Sequence, residues 1–395
     1  MKPAIDIVLA APVRTPIGRF GGALAPLTAA DLGVAAATEC LKRAGLDGAA
    51  VDEAIFGCAR QAGSGPNVAR QVSVRSGCGV EKPAWTVNQA CASGLRAVIA
   101  AASSISLGDA SVVLAGGTES MSRLPYYLES ARWGMPVGNT QIVDAMYRDG
   151  FLDPLCGQVM GETAENLADR YGISRREQDE FAAESQRRCE AARREGRFRN
   201  EIVSVTVPGK KGTTLVETDE YPRNGATVES LAALPPVFRA EGTVTAGNSS
   251  GITDGAAAVL VLSARRAAEL GVRPAARILG WAMAGVDPAI MGIGPVPAIR
   301  KLEEQTGFRL GEAELVELNE AFAAQVLACD RELAFDRSRL NVNGGAIALG
   351  HPIGCTGTRI LVTLLHEMAR RGSRVGLATL CVSGGMGAAL AVERI

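Results

Sequence analysis

The sequence predicts an α/β protein that consists of two similar units. Two observations support this class: apolar strand candidates alternate with helical patterns, and the order of elements near the N-terminus returns after residue 276. Strands that stay apolar along their length are typical of sheets covered by helices on both faces, so we expect mostly parallel sheets. In such sheets, ligands bind where strands end and helices begin.

The first unit begins with an apolar strand over residues 5–10. A glycine-rich turn follows, and then a helix over 28–43, in which apolar residues recur at helical spacing. A short strand is predicted at 51–57. The segment NQACASG then opens a helix, LRAVIAAASSISLGD, which leads to the strand ASVVLAGG. The unit ends at a glycine pair, Gly116-Gly117.

The second unit repeats this order. The strand ARILGWAMAGVDP is followed by the helix PVPAIRKLEEQTG and the strand AELVELNEAF. The segment NGGAIALGHPIGCTG then opens the helix TRILVTLLHEMARRG, and the last strand, SRVGLATLCVSGG, again ends in a glycine pair. We therefore expect one unit to comprise residues 1–119 with 251–272, and the other to comprise 273–395.

Residues 120–250 differ in character from both units. They contain a highly charged helix over 174–196 and short strands over 202–207. The arginines of this region are interspersed with glutamates, which indicates a solvated helix face more than a phosphate site. We predict an inserted lobe that lies over the sheet layers.

Charge and cysteine content exclude several classes of protein. The 41 basic and 42 acidic residues balance, so there is no electrostatic reason to expect a nucleic acid or a membrane surface as partner. No charge-free run approaches the about 18 residues of a membrane span. Nine cysteines without a CxxC pair or metal-ligand spacing are typical of a reduced compartment. We expect a cytoplasmic protein without a metal site.

His351 is the first candidate for a catalytic base. It is one of only two histidines, and it lies in the glycine-rich segment NVNGGAIALGHPIGCTG, where other backbone can approach the ring closely. The alternative is a histidine that caps or packs near a helix start. The other histidine, His366, lies at helical spacing and is predicted to occupy a helix face.

Two cysteines are candidates for acyl chemistry. Cys91 lies where a strand ends and a helix begins, so the helix dipole and free N–H groups are expected to lower its pKa from about 8.5. Cys381 ends the last apolar strand. With His351, the two thiols suit acyl transfer or carbon–carbon bond formation next to a thioester. Asn319, at another strand end, can orient a water or bind an oxyanion. The alternatives are unreactive core cysteines and a helix-capping asparagine.

Motifs along nearly the whole chain resemble those of the thiolase family, the acetyl-CoA acetyltransferases and 3-ketoacyl-CoA thiolases. They include VRTPIGRFGG, VNQACASGLRA, AGGTESMS, MGETAEN, GTVTAGNSSG, NEAFAAQ, NVNGGAIALGHPIG and TLCVSGGMG. The resemblance implies two βαβαβαββ units in a layered α-β-α-β-α core. It also implies an inserted loop domain at 120–250 that binds CoA and makes contacts in a homodimer or homotetramer. CoA, acetyl-CoA and acyl-CoA are the implied substrates, with no cofactor.

The resemblance also implies roles for five catalytic residues. Cys91 looks like the nucleophile that becomes acylated after activation by His351, and Cys381 looks like the acid/base at the α-carbon. His351 and a water on Asn319 would bind the thioester enolate. The N–H groups of Cys91 and Ser383 would form a second oxyanion hole.

Seven residues are implied in substrate binding. By similarity, two contact pantetheine, two line the nucleotide side of CoA, and two flank the acyl pocket: Ser250 and Ala246, Arg223 and Phe238, and Met160 and Phe322. Thiolases that prefer acetoacetyl-CoA usually carry histidine where this chain has Val159, the seventh residue. Its apolar side chain therefore resembles the degradative 3-ketoacyl-CoA thiolases more than the short-chain biosynthetic ones.

Ser383 stands where the family usually has glycine. If this position requires a positive φ, the serine is strained by about a kcal/mol or more, and the oxyanion donor is displaced.

Together these observations predict an acyltransferase that cleaves 3-ketoacyl-CoA, or condenses acyl-CoA with acetyl-CoA, through an acyl-cysteine. One alternative is a related condensing enzyme that uses an acyl-carrier protein or makes a branched product. Another is an acyl-CoA binding protein without catalytic activity.

Overall fold

The N-terminal part of the chain forms five strands and three helices. The computed structural model describes residues 1–3, 5–209 and 212–395. The strands are β1 (Ile7–Arg14), β2 (Gly18–Arg19), β3 (Glu53–Gly57), β4 (Ala84–Val87) and β5 (Val112–Ser120). The helices are α1 (Ala29–Ala44), α2 (Val68–Arg75) and α3 (Ser93–Leu107). The predicted helix over 28–43 is confirmed as α1, and the side chain of Thr28 caps its first turn.

The middle part forms short strands and three helices. The strands are β6 (Tyr126–Tyr127), β7 (Val143–Asp144), β8 (Leu152–Asp153), β9 (Gln158–Val159), β10 (Val205–Gly209) and β11 (Gly212–Val216). The helices are α4 (Met160–Tyr171), α5 (Arg175–Arg194) and α6 (Val228–Ala232). The six strands pair two by two as small hairpins outside the large sheet.

The C-terminal part returns to longer strands and helices. The strands are β12 (Thr253–Ser263), β13 (Ala276–Gly285), β14 (Leu315–Leu318), β15 (Val375–Val382) and β16 (Met386–Arg394). The helices are α7 (Ala264–Glu269), α8 (Pro295–Thr306), α9 (Ala323–Leu333), α10 (Ala346–Leu349) and α11 (Ile353–Arg371). His366 lies on α11, as predicted, and its Nε2 is 2.9 Å from the carbonyl of Pro12.

The large sheet has the strand order β14-β15-β16-β13-β1-β12-β5-β3-β4, with β2 paired to β12. The expectation of mostly parallel sheets was wrong. Parallel pairs occur at the two ends of the sheet, in β14–β15, β3–β5 and β3–β4, whereas the central pairs are antiparallel. An apolar strand sequence indicates that both faces of the strand are buried. Parallel and antiparallel strands can both be buried in this way, so the sequence does not reveal the strand direction.

The duplication predicted from the sequence is visible in the sheet. From the β1–β13 pair outward, β1, β12, β5 and β3 on one side correspond to β13, β16, β15 and β14 on the other. In each half a long helix directly precedes one of these strands: α3 is followed by β5, and α11 is followed by β15.

Helices α3 and α11 form the central layer of the core. Their apolar residues share one buried cluster with side chains from both halves of the sheet. The other face of the first half packs against α1 and α2, and that of the second half packs against α8 and α9. The layers therefore follow the order α-β-α-β-α. The window Ala90–Leu107 is apolar and long enough to cross a membrane, but it belongs to this buried layer.

A buried arginine ties the middle part of the chain to β1. Arg14 Nε lies 2.6 Å from Glu201, and its two terminal nitrogens lie 2.6 and 2.9 Å from the carboxylate of Asp219. All three side chains are at most 1% exposed. Two carboxylates around one cation leave each buried charge paired and hydrogen-bonded.

Candidate active site

The starts of α3 and α11 touch backbone to backbone. A Cβ atom at Gly357 would lie 2.3 Å from the nitrogen of Leu95, and one at Gly94 would lie 2.7 Å from the nitrogen of Thr358. Only glycine permits such an approach. Because α3 begins two residues after Cys91 and α11 begins two residues after His351, the crossing brings these two loops side by side.

Cys91 lies among hydrogen-bond donors. The N–H groups of Cys91 itself and of Ser383, together with the charge of Arg60, favour the thiolate form of Cys91. The residue before it, Ala90, has a φ of 44°, a strained conformation for alanine that the surrounding fold must maintain. Cys91 as a residue is half-buried, whereas Cys381 is fully buried.

The expected lowering of the Cys91 pKa was wrong. Burial raises the pKa of this thiol above its ordinary value, although Arg60 and the two N–H groups act in the opposite direction. The helix position was correctly inferred from the sequence. The desolvation comes from residues far away in the chain, so the local pattern gives no sign of it.

Cys381 lies close to Cys91 but is more deeply buried. It is fully buried at the end of β15, and burial together with the charge of Cys91 raises its pKa well above the ordinary value. Its side chain packs in an apolar cluster with Met160, Phe238 and Phe322. One of the two neighbouring sulfurs can carry a negative charge more easily than both together.

His351 is oriented by Thr356, a residue that the sequence analysis missed. His351 Nδ1 lies 2.6 Å from the Thr356 hydroxyl, which in turn lies 3.0 Å from the carbonyl of Pro352. When the hydroxyl donates to Pro352, it accepts the proton of Nδ1 and leaves Nε2 free to act as a base. When it donates to Nδ1 instead, Nε2 carries the proton and becomes a donor.

The resting imidazole of His351 is neutral. Burial, and then the positive charges of Arg359 and Arg60, lower its pKa to about 3. The alternative of a capping histidine does not apply, because α11 has Pro352 at its cap and no side-chain cap bond.

Asn319 is the neighbour of the free ring nitrogen. Its Nδ2 lies 3.5 Å from His351 Nε2, and its buried Oδ1 has no hydrogen-bond partner among the described residues. The alternative of a helix cap also fails here, because the cap of α9 is Phe322. A buried amide oxygen of this kind calls for a polar ligand or water.

Ser383 does not adopt the positive φ that would strain its backbone. Outside glycine, a positive φ occurs among the described residues at Ala11, Ala90, Ala334 and Asn341. The left-handed conformations of this turn lie one and two residues later, at Gly384 with a φ of 86° and Gly385 with a φ of 79°. Serine is therefore accommodated, and its N–H still favours the thiolate of Cys91.

The residues expected at the acyl pocket come together beside Cys381. Phe238 and Phe322 meet edge to face with ring centroids 6.3 Å apart, and Met160 packs against the same cluster. Val159, which is half-buried, directly precedes Met160. The structure thus groups Phe238 with the acyl-pocket residues, whereas the resemblance had grouped it with Arg223.

Among the residues expected to bind CoA, Ser250 lies beside the His351 loop, while Ala246 and Arg223 lie at the surface. Ser250 donates its N–H to the carbonyl of Ala321 at 2.9 Å, and the next residue, Gly251, accepts the N–H of His351 at 3.0 Å. Ala246 is exposed. Arg223 is also exposed, and its guanidinium lies 5.6 Å from the ring centre of Tyr221.

Glu119 connects the loop that contains Arg60 to the first turn of α11. The sequence did not indicate this role. This fully buried carboxylate accepts the N–H of Ala59 at 3.1 Å, that of Arg60 at 3.1 Å and that of Gly354, in α11, at 2.8 Å. It lies in the motif AGGTESMS, but only the fold brings the three donors around it. Glu119 therefore fixes the Arg60 loop to the first turn of α11.

These parts have the chemistry of cysteine-dependent acyl transfer: a half-buried cysteine whose thiolate two N–H groups favour, a second thiol, and a neutral histidine. Two family models match the chain: thiolase, N-terminal domain, over residues 7–265, and thiolase, C-terminal domain, over residues 272–394. The chain belongs to the thiolase family. It is an enzyme of the thiolase type, an acyltransferase.

Relatives and solved structures agree with this assignment over the full chain. An acetyl-CoA acetyltransferase of Pseudomonas aeruginosa is 53% identical, over 98% of this chain and 99% of its own. One of Rhizobium meliloti is 52% identical, over 99% of both. The crystal structure of the Bacillus anthracis acetyl-CoA acetyltransferase has a TM-score of 0.97 and 45% identity, with both chains fully covered. That of human mitochondrial 3-ketoacyl-CoA thiolase has a TM-score of 0.96 and 42% identity, over 99% of both.

Proposed function

We propose that the protein catalyses the reversible reaction of acyl-CoA with acetyl-CoA to give 3-ketoacyl-CoA and CoA, through an acyl group on Cys91. The observation that carries this proposal is the oriented His351, with Thr356 2.6 Å from Nδ1 and the amide of Asn319, whose Oδ1 has no partner among the described residues, 3.5 Å from Nε2. It lies beside a Cys91 whose thiolate is favoured by the N–H groups of Cys91 and Ser383. Donors in this position can bind the oxygen of a thioester carbonyl that this sulfur attacks. The names of the relatives support CoA thioesters as substrates.

In the first half-reaction, Cys91 attacks the acyl-CoA carbonyl. His351 Nε2 takes the thiol proton while Nδ1 is held by Thr356. The carbonyl oxygen becomes negatively charged and is bound by the two N–H groups. The carbon–sulfur bond to CoA then breaks, and the proton passes to the departing CoA sulfur.

In the second half-reaction, a carbon nucleophile forms on acetyl-CoA. The anionic form of Cys381 removes an α-proton, and the thioester oxygen receives the charge. This oxygen is bound by the His351 Nε2–H form and by a water on the free amide oxygen of Asn319. The enolate carbon then attacks the acyl carbon, the carbon–sulfur bond to Cys91 breaks to release 3-ketoacyl-CoA, and the Cys91 thiolate takes the proton that Cys381 holds, which restores both residues.

The variant Cys381→Ser tests the division of labour between the thiols. It should still transfer an acetyl group to Cys91, because that step does not use Cys381. Condensation and thiolysis of acetoacetyl-CoA by free CoA should fall together by at least the ~10²–10⁴-fold typical of a lost acid–base group. Equal loss of acetylation and carbon–carbon chemistry would argue against the proposed roles. Thiolysis by free CoA in the wild-type protein also separates it from a carrier-dependent synthase.

We propose medium-chain 3-ketoacyl-CoA as a substrate in addition to acetoacetyl-CoA. Val159 supports this, because an apolar residue directly precedes Met160, which packs with Phe238 and Phe322. The measurement is kcat/KM for four-carbon and eight-carbon substrates. Val159→His should shift the ratio toward four carbons, with Val237→His, at an exposed position, as the control. A strict four-carbon preference of the wild type would refute this proposal.

The domain boundaries at 1–119 with 251–272, 120–250 and 273–395 are also proposals. CoA binding by the middle segment, a homodimer or homotetramer, the absence of a cofactor and a cytoplasmic location stay predictions.

A further inference from the structure

We propose that Asp153 is a positioning residue for the oxyanion-binding N–H of Ser383. This inference rests on the proposed function. Asp153 Oδ2 accepts the N–H of Gly384, the residue directly after Ser383, at 2.9 Å. Its other oxygen accepts the N–H of Leu155 at 2.8 Å. The side chain is 3% exposed, so water competes little for either bond.

The turn that Asp153 holds, residues 383–385, connects β15 to β16, and Val382 pairs with Met386 on its two sides. Gly384 and Gly385 both have a positive φ, and glycine resists rotation less than other residues do. The far end of the turn is held by Val286, whose N–H donates to the carbonyl of Gly385 at 2.7 Å. The near end, next to Ser383, is held by the carboxylate of Asp153. The Ser383 N–H belongs to the preceding peptide, so a shift of the whole turn, which the bond from Gly384 to Asp153 restrains, would move it relative to Cys91.

Asp153 also connects this turn to the acyl pocket. In the β8–β9 hairpin, Asp153 is opposite Gln158, and Leu152 is opposite Val159. The hairpin thus carries Asp153 on one strand and, on the other, Val159, which directly precedes Met160 of the acyl pocket. A carboxylate bonded to an N–H makes a stronger bond than a neutral acceptor, which suits a fixed geometry.

The two half-reactions should depend on Asp153 to different extents. Acetylation of Cys91 forms an oxyanion beneath the N–H groups of Cys91 and Ser383. Exchange of the α-protons of acetyl-CoA forms an enolate beside His351 and Asn319 instead. A displaced Ser383 N–H should therefore slow acetylation and leave proton exchange on the acetylated enzyme nearly unchanged.

The test compares Asp153→Ala and Asp153→Asn with Asp144→Ala in the full-length protein. Asp144 is a matched control, because it accepts an N–H two residues later, from Met146 at 2.8 Å, and lies in the same segment of the chain. Asp153→Ala should acetylate Cys91 about 10–100-fold more slowly, somewhat less than the ~10²–10³-fold cost of removing an oxyanion-hole donor. Asp153→Asn, which retains one acceptor oxygen, should fall between it and the wild type. Asp144→Ala should match the wild type.

Proton exchange is measured by loss of deuterium from labelled acetyl-CoA after Cys91 has been fully acetylated. A change of less than about threefold in the Asp153 variants, beside slow acetylation, is the expected split. Wild-type acetylation rates, or an equal fall in acetylation and exchange, would overturn the inference. If Asp153→Ala has a much lower Tm than the wild type, the rates of Asp153→Asn decide between these outcomes. A wild-type protein that neither acetylates nor exchanges would contradict the proposed function instead.

Discussion

At Cys91 and His351, the fold favours the uncharged forms of both side chains. Burial raises the pKa of the thiol, and burial beside Arg359 and Arg60 lowers the pKa of the imidazole. A resting thiolate–imidazolium pair is therefore disfavoured. The proton should leave Cys91 when the substrate carbonyl is in place to share the developing charge.

Alkylation of Cys91 tests this assignment of charge. Iodoacetamide reacts with the thiolate, so a raised pKa means slow reaction at pH 7 and a rate that still rises above pH 8.5. Cys156→Ser is the background, because Cys91 and Cys156 are partly exposed and the other seven cysteines are buried. Arg60→Leu removes a cation that lowers the pKa of Cys91, so it should slow alkylation further at a fixed pH. A rate that becomes constant below pH 8 would indicate a preformed ion pair.

Thr356 is expected to act through His351. Thr356→Val removes the hydroxyl with little change in volume and leaves Nδ1 unpartnered, so kcat should fall ~10–100-fold, part of the ~10²–10⁴-fold that a general base contributes. Thr356→Ser should retain most of the activity. Thr358→Val is the matched control, because Thr358 is also fully buried but its hydroxyl has no partner among the described residues. Equal effects of the two valine variants would contradict the role of Thr356.

At the scale of elements, the site depends on where two helices begin. Helices α3 and α11 occupy equivalent places in the duplicated units, and glycine contacts let their first turns touch. The middle segment then supplies the acyl wall and the support for the Ser383 turn. This segment is attached to β1 through the bonds of Arg14 to Glu201 and Asp219.

Arg14→Met tests this attachment. The substitution leaves Glu201 and Asp219 buried without their cation, so stability should fall by about 3–5 kcal/mol. The measurement is the midpoint of chemical unfolding at fixed protein concentration. Arg19→Ala is the control: its pair with Glu220 is 3.7 Å long and the arginine side chain is 67% exposed. Loss of the Arg19–Glu220 pair should lower the free energy of unfolding by about 0–1 kcal/mol. A similar shift for both variants would show that the Arg14 pairs contribute little.

At the scale of the whole molecule, the sequence predicted what depends on local pattern. The alternation of elements, the duplication and the positions of Cys91, His351, Asn319 and Cys381 at strand or helix ends are all readable from short segments. The antiparallel centre of the sheet was not, because strands buried on both faces look alike in either direction. The raised pKa of Cys91 depends on distant residues that exclude water.

The supporting residues were equally hidden. Asp153 is 231 positions from the N–H that it accepts, and Glu119 is 235 positions from the helix turn that it holds. Thr356 is only five positions from His351, but its role depends on the ring orientation that the fold imposes. Such partners become visible only when the chain is folded.

The central claim is that an acyl group is carried by Cys91. The protein is incubated with isotopically labelled acetyl-CoA, quenched in acid and digested, and the label is located by mass spectrometry. We expect one acetyl group on the peptide that contains Cys91, in the wild type and in Cys381→Ser alike, and none in Cys91→Ser. A label on any other residue, or an unlabelled wild type, would contradict the account.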